Sequence, residues 1–411
     1  MNNKSNIELL APAGSFASLN AAINAGCDSV YLGITDFNMR ATTKNFTLED
    51  LPKVLKLCKS NKIKCYLTVN TLLYNNELER MNRVIDTAKR VGVDAIIAAD
   101  FATIMYARSI GVNVHISTQL SISNIEGLRF FSKYTDRIVL ARELSIEQVK
   151  EICTQIGEQN ICGPKGKPVE IEVFGHGALC VAVSGRCGMS LYAYGRSANR
   201  GICSQICRRE FKVIDKISGL ELDVDNNYVM SSADLCTIGM IDILIDSGIS
   251  TLKIEGRGRG AEYVDTVVKT YRTALDAVAN QKYTKENIEK WNKNLEKVFN
   301  RGFTKGLYMG RTFDEWANGS NNKSKTEKIL IGKVINFYSK QKVVHVEVLG
   351  DEAISIGDEY GIIGDTTGIV KGKIDQLMVN DKAQTTSKQG DSITFKINSK
   401  VRKGDFVFKF I

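Results

Sequence analysis

The chain has 411 residues, 43% hydrophobic and 25% charged, with 55 Lys+Arg against 46 Asp+Glu for a formal net charge of +9. This is the composition of an ordinary globular protein with room for one large domain and a smaller one, and no run nears the ~18 consecutive apolar residues of a membrane span. The first residues lack the apolar core and cleavage site of a secretory signal, so a reducing cytoplasm is expected, where structural disulfides are disfavoured; the basic excess favours a polyanion, nucleic acid foremost.

Short apolar runs alternate with helical periodicity along the first two thirds, which predicts βαβ units. The predicted strands are 7–11, 29–33, 64–69, 94–98, 112–116, 137–140, 170–174 and 251–254. Between them, Ser15 caps a helix that stops at Gly26, and Thr47 with Asp50 forms a capping-box pattern. Further helices are predicted over 77–91, 102–110, 126–132, 146–156 and 261–279. Eight such units in roughly 280 residues predict a TIM-like (β/α)8 barrel, and no strand is followed by the GxGxxG of a dinucleotide-binding open sheet.

In such a barrel the active groups sit at the C-terminal ends of the strands. There the chain offers Arg40, Asn70, Gln119, Arg142, Glu255 and Arg257, hydrogen-bonding and charged groups around one mouth. The arginines suit bidentate capture of a carboxylate, or simple pairing with rim acids. The connection after the seventh strand carries an insertion of about sixty residues, at about 175–250, which would lie over this mouth.

After a helix over 286–300 come a linker by composition, 318–327, and a switch from 3.6-residue to two-residue periodicity. Strands at 328–337, 343–349, 368–374, 391–397 and 405–410 predict a small antiparallel β-barrel domain over 328–411, so that 1–317 forms the large domain.

Five of the ten cysteines fall in the insertion: Cys180, Cys187, Cys203, Cys207 and Cys236. They lie seven, sixteen, four and twenty-nine positions apart with no CxxC pair, so a zinc ribbon or dithiol is disfavoured by spacing. An iron–sulfur cluster, a zinc site and a nucleophilic cysteine all remain open. A nucleophile needs a base, and His176, four residues before Cys180, is the histidine placed to serve; His115 lies inside a strand and His345 in the small domain.

The segments ELLAPAGSFASLNAAINAGCDSVYLG, FNMRA, VFGHGALCVAVSGRCGMS, NRGICSQICRR, SSADLCTIGMIDILIDSGISTLKIEGR and NRGFTKGLYMG resemble the collagenase-like peptidase family, peptidase family U32, over essentially the whole chain. That family includes proteins for prephenate-dependent hydroxylation of the tRNA wobble uridine, for ribosomal RNA cytidine hydroxylation and for oxygen-independent ubiquinone hydroxylation. The ubiquinone members are similar in carrying a 4Fe–4S cluster on four cysteines. Carried over by motif, the ligands would be Cys180, Cys187, Cys203 and Cys236, with Cys207 as alternate to Cys203. The length and β-rich tail look more like the RNA-modifying branch. The resemblance therefore implies a tRNA hydroxylase forming 5-hydroxyuridine, with a 4Fe–4S cluster, prephenate as co-substrate bound near Arg40, Asn70, Gln119, Arg142 and Arg257, and His176 and Glu255 as catalytic candidates. It implies tRNA or rRNA as partner, alongside a paralogous protein of the same family. The alternatives are a peptidase acting through a thiol, hydroxylation of a 23S rRNA cytidine, and a non-catalytic, zinc-bearing RNA-binding protein.

Overall fold

The computed structural model describes residues 5–222, 230–310, 316–317 and 322–411. Eight parallel strands close into a barrel: β1 (Glu8–Ala13), β2 (Ser29–Gly33), β3 (Lys64–Val69), β4 (Ala95–Ala98), β5 (Val114–Ile116), β6 (Arg137–Val139), β7 (Glu170–Ala178) and β8 (Thr251–Ile254), with β8 paired to both β7 and β1. Outside run α1 (Phe16–Asn24), α2 (Leu51–Ser60), α3 (Leu78–Val91), α4 (Phe101–Ser109), α5 (Ile125–Ser132) and α6 (Ile146–Glu158). The predicted (β/α)8 barrel is present.

Local chemistry starts and stops these elements. Ser15 and Ser18 make a reciprocal capping box at the head of α1. Thr47 and Asp50 also bond reciprocally, but α2 begins only at Leu51, so this box closes the turn before the helix. α3 ends on Gly92 at φ 81°, a left-handed residue that glycine adopts without a Cβ clash.

Strand side chains alternate between the helix layer and the barrel interior. Interior Leu10, Tyr31, Tyr66, Ala95 and Ile97 form a compact apolar plug. At the N-terminal end of the barrel, Glu8 accepts from Arg137 (2.8 Å), Tyr66 (2.7 Å) and Ser29 (2.7 Å). That carboxylate is nearly buried, and the surrounding donors offset the cost of dehydrating it.

β7 runs past its predicted end at Phe174 because Gly175–Ala178 finds a second partner. The short strand Asp234–Cys236, deep in the insertion, pairs antiparallel with it and sets Cys236 opposite His176. The insertion also holds the short helix α7 (Met189–Tyr194), followed by α8 (Ile241–Asp246), α9 (Ala261–Ala279) and α10 (Lys285–Leu295). It is tied to the barrel mouth by Arg200 to Glu77 (2.6 Å), the Ser184 amide to Glu143 (2.7 Å) and Arg186 to the Gln119 carbonyl (2.8 Å). Gly201, at φ 87°, lies where a Cβ would come 2.2 Å from the Asn38 carbonyl oxygen, so only glycine lets this loop approach so closely.

The C-terminal strands β9 (Lys328–Tyr338), β10 (Val343–Val348), β11 (Glu359–Gly364), β12 (Gly368–Lys373), β13 (Ser392–Lys396) and β14 (Phe406–Phe410) form an antiparallel sheet ordered β12-β11-β14-β9-β10-β13, continued by two short strands. β11 escapes the sequence pattern because Gly361 and Gly364 interrupt its alternation. Ile331, Val346, Ile362, Phe395 and Val407 belong to a core separate from that of the large barrel. Of the predicted linker, residues 318–321 lie outside the described residues, and Lys323 and Lys325 are hydrogen-bonded to Asn300 and Glu296. The sheet docks on the barrel through Lys371 to Asp265 (2.8 Å), Lys328 to Glu262 (2.7 Å) and the packing of Gly368 on Asn20 and Ala21. Among the described residues, no helix is long and apolar enough to cross a membrane.

Candidate functional site

A cavity of about 260 Å³ lies at the C-terminal end of the barrel, walled on one side by strand ends and on the other by the insertion. Arg40, Asn70, Gln119, Arg142, Glu255 and Arg257 all line it, as do Cys180, Cys187, Cys203 and Cys207. The sequence-predicted mouth is therefore assembled in one place.

Its polar floor is built by bonds between different βα units. Asn70 donates to Gln119 (2.9 Å) and accepts from the Met39 amide (3.3 Å). Arg257 is buried, gives Nη1 to Thr68 (2.8 Å) and Asn38 (3.3 Å), and lies over the Tyr31 ring. Its backbone also fixes Gly14, where a Cβ would come 2.0 Å from the Arg257 carbonyl oxygen. Burial brings the Arg257 guanidinium down to about 10, which leaves it a cation at neutral pH. Arg142 lies over the Phe174 ring and donates to the Ala178 carbonyl (3.2 Å), so it is a packed wall residue as well as a charge.

Glu255 is held by Arg40 through Nη2 at 2.8 Å. Burial pushes its carboxyl up, but the Arg40, Arg259 and Arg257 cations outweigh burial and hold it below the usual carboxylate range. As a catalytic candidate it is thus an ionised, occupied group and a weak base at neutral pH.

The other catalytic candidate is not in the cavity. His176 is buried, its Nδ1 3.3 Å from the Tyr271 hydroxyl and its ring against Tyr263, Tyr271 and Phe303. Burial pushes its imidazolium down to about 3, so the ring is neutral. Among the described residues no histidine lines the cavity: His115 is buried edge-on against the Tyr66 ring, and His345 bonds Ser392 in the C-terminal sheet.

The cysteines divide differently from the motif assignment. Cys203 and Cys207 both face the cavity with Cys180 and Cys187, and Cys236 does not. Cys236 is buried where the short strand crosses β7, with Sγ 3.8 Å from the Tyr271 hydroxyl, and burial pushes its thiol up to about 11. The physical reason is the pairing just described, which turns the Asp234–Cys236 strand into the barrel's side wall.

Burial raises the Cys207 thiol above its ordinary value, Arg208 opposes this, and the nearby Cys180, Cys203 and Cys187 sulfurs raise it further. The four cavity thiols fit an iron–sulfur cluster in donor type and in sharing one wall. They do not form a closed cage, for among the described residues no three His, Cys, Asp or Glu side chains stand close enough to hold a metal ion.

Sequence reading missed Lys253, Tyr31, Arg259 and Arg301, which line the cavity alongside Arg208. Lys253 is a buried amine paired with fully buried Glu172 at 2.8 Å and lying 4.4 Å over the Tyr31 ring; burial pulls it below the ordinary lysine range and Glu172 opposes this. The signal was a charge in an otherwise apolar strand, TLKI, facing a second one in EIEVF. Glu255, Glu172 and Asp234 pair Arg40, Lys253 and Arg301, and Arg142, Arg208, Arg257 and Arg259 remain as a cationic surplus along the cavity wall, which favours an anion.

Residues 14–318 match Peptidase family U32. The chain belongs to that family. Among its relatives, a protein of Porphyromonas gingivalis named collagenase is 47% identical over 99% of both chains. The tRNA hydroxylation protein P1 of Bacillus subtilis is 33% identical over 86% of this chain and 84% of its own. A 23S rRNA 5-hydroxycytidine synthase of Escherichia coli is 31% identical over 94% of this chain and 55% of its own. The U32 family thus contains proteins named for RNA hydroxylation as well as for proteolysis.

Proposed function

We propose that this U32 protein is an RNA hydroxylase that converts the wobble uridine of tRNA to 5-hydroxyuridine, with prephenate as co-substrate. The observation that carries the reading is the joining of four thiols and a strongly cationic pocket at one barrel mouth. The names of the Bacillus and Escherichia relatives support RNA as the substrate class.

In this reading Cys180, Cys187, Cys203 and Cys207 hold a 4Fe–4S cluster, which when bound supplies electron transfer beside the base. Arg257 and Lys253 on the floor, with Arg40 and Arg142 above, orient a dicarboxylate such as prephenate by charge and directed N–H donors. Asn70 and Gln119, bonded to each other, present amide groups to a base edge. Glu255 keeps Arg40 fixed in place. The test is the hydroxyuridine content of tRNA from cells with and without the gene.

The name of the Porphyromonas relative favours a second reading, a peptidase. A thiol nucleophile needs a neighbouring base, and His176 is neutral, enclosed and bonded to Tyr271. Cleavage of a collagen-like substrate by purified protein, abolished by Cys180→Ala, would favour the peptidase over the hydroxylase.

A further inference from the structure

The rim of the cavity carries tyrosines in water beside arginines. Tyr192 of α7 is 88% exposed, and its ring lies over Gly188, next to Cys187. Tyr194 is exposed with the Arg209 guanidinium 5.4 Å from its ring, and exposed Tyr74, in the loop after β3, carries Arg200 at 4.0 Å. These groups belong to one rim: the Asn199 side chain accepts from the Cys187 amide (3.3 Å) and its carbonyl from the Leu72 amide (3.2 Å). Met189 and Ser190 of the same short helix line the cavity itself.

Large aromatic faces left in water on a soluble protein mark a binding surface when they are grouped. The charge around them selects the partner. Between Leu179 and Lys212 the chain has six Lys/Arg and one acid, Glu210. Arg200 is paired with Glu77 and Lys212 with Glu221, while Arg186, Arg196 and Arg209 add positive charge that suits a polyanion better than the cations of a protein partner. Aromatic faces interleaved with guanidinium groups match unpaired nucleobases, which stack on the rings while their phosphates meet the cations. A base inside a duplex presents no free face, and the narrow cavity admits a base only when it has left its stack.

We propose that Tyr192, the Tyr194–Arg209 pair and the Tyr74–Arg200 pair form a stacking platform for the unpaired bases of an RNA loop on either side of the base that enters the cavity. This rests on the RNA reading above and adds how the RNA is held: by loop bases and not by a helix.

The test is binding of the full-length, anaerobically purified protein to a stem-loop RNA with a seven-nucleotide loop and to a blunt duplex of the same stem, across a salt series. Tyr192→Ala should weaken stem-loop binding about tenfold, the order of one lost base stack, with an unchanged salt slope; Tyr192→Phe should bind like the parent. Arg196 is exposed just beyond α7, and Arg196→Gln should instead flatten the salt slope. Tyr192 is exposed, so its replacement does not threaten folding. If the parent binds the stem-loop and Tyr192→Ala and Tyr74→Ala bind it equally well, the platform is wrong while the RNA reading stands. Equal parent affinity for loop and duplex also overturns the platform, as does an altered sedimentation of the tyrosine variants with RNA affinity unmoved, which would point to a protein partner. A parent that binds no RNA overturns the platform and the RNA reading together.

Discussion

Arg40 and Glu255 lie 215 positions apart in the chain and meet at the cavity mouth, where the guanidinium gives Nε at 3.2 Å and Nη2 at 2.8 Å to the same carboxylate oxygen. The bond pins the loop after β2 to the end of β8 and closes one side of the site. Replacing Glu255 by Gln leaves Arg40 without its counter-charge. The expected loss is about 2 kcal/mol, below the ~3–5 kcal/mol of a fully buried pair because part of Arg40 stays hydrated. Urea unfolding of Glu255→Gln checks it, and Arg40→Lys should recover the charge but not the two-point contact.

Lys253 and Glu172 form the most enclosed pair at the site. Lys253→Met strands a carboxylate that has no exposed surface and whose Oε2 has no hydrogen-bond partner. The single change should cost about 3–5 kcal/mol, and adding Glu172→Gln should restore more than half of it. A single variant as stable as the parent would show that the pair is not held charged.

Stability should fall on acidification in two stages. His176 and His115 are both held neutral by burial, so each has a folded value below its unfolded one, which is near ~6.5. The unfolded chain then binds more protons, and their contribution is present above pH ~6.5 and is lost as pH falls towards the folded values, about 3 for His176. Below pH ~4.5 the depressed carboxyls follow. Burial raises Glu8, but Arg137 and its other donors pull it well below its ordinary value, and Arg200 holds Glu77 near 2. In unfolding free energies measured from pH 7 to 4, His176→Gln should lower the slope by up to ~1.4 kcal/mol per pH unit. An unchanged slope would place a charged imidazole at this position.

Cysteine variants separate the two candidate ligand sets. Cys180→Ala, Cys187→Ala, Cys203→Ala and Cys207→Ala should each lose most iron and the broad visible absorption near 400 nm after anaerobic reconstitution. Cys236→Ala should keep both and lose only packing, about 1 kcal/mol. Iron retained in Cys207→Ala and lost in Cys236→Ala would restore the motif-based set.

The fold was legible because its signals are local. Three strands, 29–33, 64–69 and 251–254, fall where the apolar runs place them, and Ser15 caps α1 as its chemistry requires. The mouth was legible too, since barrel geometry brings the residue after each strand to one rim and Arg40, Asn70, Gln119, Arg142, Glu255 and Arg257 obey it. What stayed hidden depends on contacts between distant segments. Nothing in SSADLC announces that its last residues pair with GHGA, and that pairing, not the cysteine spacing, removes Cys236 from the cavity. His176 was misleading for the same reason: four residues from Cys180 in sequence, it belongs to a side wall closed by Tyr271. Lys253 was hidden by its apolar neighbours, because strand periodicity does not say that a lysine will find Glu172 on the neighbouring strand β7.

The central claim, that this U32 protein hydroxylates the tRNA wobble uridine, is tested most directly by nucleoside mass spectrometry of tRNA from cells lacking the gene. Loss of 5-hydroxyuridine and its derivatives, restored by the wild-type gene and not by Cys207→Ala, is the predicted result. An unchanged content, with no second family member in the same cells to supply it, would contradict the claim.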